Sequence, residues 1–207
     1  MTDVGRHPRI QLLTLSEVVD VKGYVGNFKV KIIKQARYVD ETSCTACGDC
    51  AAVCPVVRPD EFNMGLGSRK AIYSPFPQAV PSSYLINAKE CLGHNPAVCS
   101  KCVEVCAKGC INFHMSDEEI TLEAGTIIVA TGLTPYDPTE MDEYGYTRFA
   151  NVLTSLEFER LVNASGPTKG SLIRPSDRNH PKSVGFIQCV GSRSATKGGH
   201  YLYLLHI

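Results

Sequence analysis

The sequence predicts a chain of mixed α and β structure in three blocks, with a cysteine-rich block between two flanking segments. Three observations predict it. Nine of the ten cysteines fall between residues 39 and 115. The flanking segments read as strands: Phe28, Val30 and Ile32 alternate with Lys29 and Lys31, the period of a half-buried strand, and SVGFIQCV (183–190) is the short apolar run of a buried one. Thr154 and Glu157 stand at the spacing of a capping box, so a helix is expected to start there.

Taken in order, residues 1–38 read as β structure. Ile10, Leu12 and Leu13 open an apolar run, and Gly26-Asn27 lies where a hairpin turn belongs. Residues 39–115 hold the cysteines around a Pro- and Ser-rich loop, SPFPQAVPSSYL. Residues 116–207 begin with EITLEAGTIIVATG, two strand-like runs around a glycine. The helix after Thr154 is expected to bury Phe158, Leu161 and Val162 and to stop at Gly166-Pro167.

Composition removes several classes of function. Apolar residues make up 43% and charged residues 20%, and formal net charge is zero, so no nucleic-acid partner is implied. MTDVGRHPRI has no apolar core of the signal-peptide kind, and AGTIIVATGL is too short for a transmembrane segment. A cytoplasmic setting follows as the expectation. Disulfides are disfavoured there, and clustered cysteines are more often metal ligands or redox groups.

The first cysteine run is Cys44-x2-Cys47-x2-Cys50-x3-Cys54-Pro55. This is the bacterial ferredoxin spacing for a [4Fe–4S] cluster. Two-residue gaps let a tight loop wrap three corners of a cubane, and Gly48 relaxes that wrap. Cys50 and Cys54 are one helical turn apart, which on a helix puts both thiols on one face, and Pro55 turns Cys54 away from helical dihedrals. In two-cluster ferredoxins the fourth cysteine of each run serves the other cluster. The second run is Cys91-x7-Cys99-x2-Cys102-x3-Cys106, its first gap lengthened to LGHNPAV. The first cluster is then expected on Cys44, Cys47, Cys50 and Cys106, and the second on Cys54, Cys91, Cys99 and Cys102. Paired zinc knuckles are the bland alternative, but the first run overfills one knuckle.

The remaining candidates carry less. Cys110 reads as a small buried residue, with substitution for Cys91 as the functional alternative. Cys189 reads as a core thiol. His94 and His114 read as solvated loop histidines, with cluster ligation as the alternative. Gly65-x-Gly67 lacks the third glycine of a dinucleotide fingerprint. The dispersed Lys and Arg residues read as solvated surface.

The flanks add a resemblance. GTIIVATG (125–132) resembles the second FAD fingerprint of two-dinucleotide-domain flavoproteins, and the strands of residues 9–34 look like the hairpin that precedes it. Together with YVDETSCTACGDCAAVCPV, CSKCVEVCAKGCINF, GTIIVATGLTPYD and SVGFIQCVGSR, the chain resembles the A-type subunits of heterodisulfide reductase, which carry FAD and iron–sulfur clusters. That resemblance implies an α/β flavoprotein of two-dinucleotide-domain type, here a fragment truncated at both ends. It carries an inserted α+β ferredoxin-like domain with two [4Fe–4S] clusters. Residues 1–38 would be the hairpin part, 39–115 the insertion, and 116–207 the rest of the dinucleotide-binding domain. It implies FAD contacts at Ala130, Thr131 and Gly132, and Cys189 as the counterpart of a further cluster ligand whose companions are missing here. It implies electron relay between FAD and partner subunits, with a low-potential carrier such as ferredoxin or hydrogenase. Alternatives are a related component of a quinone-linked sulfate-reduction complex, a free ferredoxin-type carrier, and a zinc-stabilised interaction module. Carriage by metal centres needs no general acid or base, so no catalytic residue is nominated.

Overall fold

The alternation at Phe28–Ile32 becomes a strand in the computed structural model, which describes residues 2–94 and 99–191. A short helix, α1 (Thr2–Arg6), comes first. β1 (Ser16–Tyr24) and β2 (Asn27–Lys34) then form an antiparallel hairpin in which Tyr24 pairs with Asn27. The two-residue turn is therefore Val25-Gly26, one residue earlier than Gly26-Asn27, and Gly26 takes the positive φ it needs (91°). Val30 and Ile32 are buried as the period requires. Ile10 and Leu12, expected in β structure, are exposed and outside any strand.

The hairpin's third neighbour comes from far along the chain. β7 (Glu118–Ala124) pairs antiparallel with β2, from Phe28 opposite Ala124 to Lys34 opposite Glu118. The sheet order is β1-β2-β7. Everything between β2 and β7 is thus set into one side of a continuous sheet. That segment contains α2 (Asp49–Val53), β3 (Arg58–Pro59), β4 (Ser68–Arg69), β5 (Ile72–Tyr73), β6 (Leu85–Ile86) and α3 (Lys101–Val105). β3 pairs with β4, β5 pairs with β6, and a single bridge joins Val39 to Ile111. Its core is made of Val39, Ile72, Ile86 and Ile111 with the thiols of Cys50, Cys102 and Cys110. The cysteines are not appended to a core here but form part of it.

The chain divides into two units between Val129 and Ala130. The second holds short 3-10 turns at Pro138–Glu140 and Asp142–Tyr144, then α4 (Ser155–Val162). The capping box is formed. The Glu157 backbone N–H donates to Thr154 Oγ1 (3.3 Å), and the Thr154 N–H donates to Glu157 Oε2 (2.6 Å). Leu161 is buried, whereas Val162 is exposed, and α4 ends at Val162, with Asn163 as its cap, short of Gly166. Thr154→Ala removes one leg of the box and is expected to cost about 1 kcal/mol locally. The check is amide exchange at Glu157, which should speed up roughly fivefold.

Two expectations are corrected. GTIIVATG and SVGFIQCV form no strand, and Ile128, Val129, Leu133, Phe186 and Ile187 are largely exposed. A buried parallel strand is held by ladders on both edges. Neither run pairs with a described strand. Cys189, expected in a core, is exposed with a positive φ of 59°. The two-dinucleotide architecture is thus not formed by the described residues.

Candidate metal centres

The cysteines are placed by two short helices built alike. Each is five residues long and carries a buried cysteine at its second position, Cys50 in α2 and Cys102 in α3. Each is followed by a cysteine in extended conformation, Cys54 (φ −68°, ψ 123°) and Cys106 (φ −76°, ψ 96°). Pro55 explains the first exit from the helix. Ala107 follows Cys106, so the second helix ends without a proline. α2 itself begins at Gly48 in the left-handed region (φ 95°), where an added Cβ would meet Tyr84 Oη at 3.4 Å. A glycine is what this wrap tolerates.

The exit from the helix decides where the fourth thiol goes. One cavity is walled by Cys44, Cys47, Cys50 and Cys106, with Val39, Tyr84, Cys110 and Ile111. A second, smaller one is walled by Cys54, Cys91, Cys99 and Cys102, with Pro55, Ile72 and Ile86. Cys50 and Cys54 therefore line different cavities, and so do Cys102 and Cys106. This corrects the expectation that Cys50 and Cys54 share a helical face: Cys54 has already left the helix. All eight thiols of the two runs are gathered, four to a cavity.

The donor chemistry fits a cubane. Each set is all sulfur, drawn from a loop, a helix and the opposite helix's exit. Each set of four lines a cavity. Burial opposes the charged form of the innermost thiols: it raises Cys50 to about 12 and Cys102 to about 11. Burial also acts upward on Cys106, but hydrogen bonds from the Cys110, Lys108 and Gly109 region outweigh it and leave that thiol below its ordinary value. The buried thiols thus gain from a cationic core that takes them as thiolates.

The histidines are not at either wall. His94 packs edge-on against Tyr38, with ring centroids 4.6 Å apart, and faces Phe113 at 6.3 Å. It is an aromatic packing group rather than a solvated one. His114 is exposed. The inserted residues 95–98 lie outside the described residues. Cys110 borders the first cavity, not the one containing Cys91. Ala130, Thr131 and Gly132 are exposed, Gly132 has φ 75°, and nothing lies within 4 Å of a Cβ built there. The backbone is open, but these three residues line neither cavity. Among the described residues no helix is long and apolar enough to cross a membrane.

Comparison with known proteins agrees with the class that this geometry defines. Residues 37–57 match the family of 4Fe-4S binding domains, which makes this an iron–sulfur protein. Over 201 residues the chain is 53% identical to the A-type subunit of the H(2):CoB-CoM heterodisulfide,ferredoxin reductase of Methanothermobacter thermautotrophicus, covering 97% of this chain and 30% of that protein. It is 54% identical, with the same coverage, to the second of the A-type iron-sulfur subunits of CoB-CoM heterodisulfide reductase in Methanopyrus kandleri. The A-type subunit of the Ferredoxin/F(420)H(2)-dependent CoB-CoM heterodisulfide reductase of Methanosarcina acetivorans is 43% identical over 97% of this chain and 25% of its own length. Over the stretch it shares with them, the chain belongs to the family of heterodisulfide reductase A-type subunits. It spans about 30% of the length of the first two of these relatives.

Proposed function

We propose that this chain is the iron–sulfur relay segment of a heterodisulfide-reductase-type oxidoreductase. It carries single electrons between a flavin and partner subunits, with a low-potential carrier such as ferredoxin or a hydrogenase as donor or acceptor. Residues 39–115 act as a ferredoxin-like module set between β2 and β7. Cys44, Cys47, Cys50 and Cys106 hold one [4Fe–4S] cluster, and Cys54, Cys91, Cys99 and Cys102 hold a second. The observation that carries this reading is the crossing of Cys54 and Cys106 between two four-thiol cavities.

A bound cubane supplies one-electron chemistry over a wide potential range, set by charge, hydrogen bonds to sulfur and exposure. The protein's part is holding and shielding. Val39, Tyr84 and Ile111 keep an apolar wall at the first site, and Ile72, Ile86 and Leu92 keep one at the second. Cys47 is exposed and marks the edge where the first site meets solvent. The resemblance assigns Ala130–Gly132 to FAD. Their open backbone permits close approach, but the described residues build no cradle around them.

Full-length chain reconstituted without oxygen is expected to be brown and to hold about eight irons and about eight sulfides. Reduction should give the paramagnetic signal of two interacting clusters. Colourless protein holding zinc, or disulfides among these cysteines, would rule the reading out.

A further inference from the structure

Cys110 belongs to neither set of four, yet it stands at the wall of the first cavity. It is buried (7% exposed), and its Sγ is 3.4 Å from Cys106 Sγ. Cys44 lines the same cavity. The backbone fixes it there. The Gly109 N–H donates to the Cys106 carbonyl (2.9 Å), closing a turn in which Gly109 has φ 57° and which brings residue 110 back beside residue 106. The Asp40 N–H then donates to the Cys110 carbonyl (2.7 Å), and Ile111 bridges to Val39. Five thiols therefore border a site with four corners to offer.

The two close thiols compete for one corner. Thiolates about 2.3 Å from a single tetrahedral zinc already stand roughly 3.8 Å apart. Around a cubane, where each binds a different iron, they stand further apart still. At 3.4 Å, Cys106 and Cys110 cannot serve two corners in this arrangement. Both line the cavity, so either is placed to serve that corner.

We propose that Cys110 is a reserve ligand of the first cluster, able to replace Cys106 at its corner. This rests on the reading that the first cavity holds a cubane. The exchange is redox-neutral: one iron–thiolate bond forms as another breaks, and the Cys110 proton passes to the Cys106 thiolate it displaces. Packing alone would explain a buried residue at position 110. It would not explain a sulfur placed in contact with the ligand sulfur.

The test is iron per chain in the full-length protein reconstituted without oxygen, with the paramagnetic spectrum of each reduced variant. Wild type, Cys106→Ala and Cys110→Ala are each expected to hold about eight irons, with a shifted first-cluster signal in Cys106→Ala only. The double variant is expected to fall to about four. If Cys106→Ala falls as far as the double variant, or is not recovered folded, Cys110 is no reserve and the inference fails. A loss in Cys110→Ala alone overturns it too, since Cys110 would then be a primary requirement. Wild type far short of eight irons would sink both this inference and the two-cluster reading, which separates that failure from the others.

Discussion

Replacing Cys54 and Cys102 together with alanine is expected to remove about four irons per chain, no more than either change alone. Replacing Cys50 and Cys54 together should remove about eight. Sequence distance argues the opposite, since Cys50 and Cys54 are four residues apart and Cys54 and Cys102 are forty-eight apart. Geometry reverses the grouping. Cys54 leaves α2 in extended conformation and lines the cavity of Cys102, while Cys50 lines the other. Two changes within one site act as a unit and are not additive, whereas changes at separate sites are. Iron and sulfide counts after reconstitution without oxygen read this directly. If the Cys50/Cys54 pair costs half the iron and the Cys54/Cys102 pair costs all of it, each run serves its own cluster and the crossing is wrong.

What is legible in the sequence is what depends on neighbours in sequence. The β2 alternation, the hairpin and the Thr154–Glu157 box are all decided within a few residues, and all three form. The runs at 125–132 and 183–190 carry the pattern of strands without becoming strands, because their state depends on a partner strand that no apolar pattern supplies by itself. The shared face of Cys50 and Cys54 fails for a related reason: the i,i+4 rule holds inside a helix, and α2 ends before Cys54. Cys110 carries a weak signal, a glycine one residue before it and a ligand four before. Its cavity becomes visible only once the turn at Gly109 is built. Arg69 reads in the sequence as one more dispersed surface charge. Nothing local announces its burial, since Glu90 lies twenty-one residues further on.

Arg69→Ala is the substitution outside the thiols expected to cost most. The side chain is 5% exposed at the end of β4. Its guanidinium forks onto both carboxylate oxygens of Glu61, with Nε 2.5 Å from Oε2. Another guanidinium nitrogen donates to Glu90 Oε2 (2.8 Å) and to the Lys70 carbonyl (3.1 Å). The guanidinium carbon sits 4.1 Å over the Tyr73 ring. Its hydrogen bonds to Glu61 hold that carboxyl below its ordinary range and hold the guanidinium more firmly protonated. Removing one partner of a buried pair costs roughly 3–5 kcal/mol. The Glu61 side chain is 68% exposed, so solvent screens that leg, and the expected cost is about 2–3 kcal/mol, carried mainly by Glu90, which keeps only its longer contact to Arg58 Nε (3.9 Å). For a protein of this size that lowers Tm by roughly 4–12 °C. Arg69→Lys should recover little, because an ammonium cannot bridge two carboxylates and cover a ring at once. The consequence is also local. Glu90 precedes Cys91, a wall residue of the second cavity only. A chelator should therefore strip iron from the second site of Arg69→Ala faster than from the first. Thermal melts of reconstituted protein followed by circular dichroism check the stability. An unchanged Tm would show that the two carboxylates find water as good a partner as the arginine.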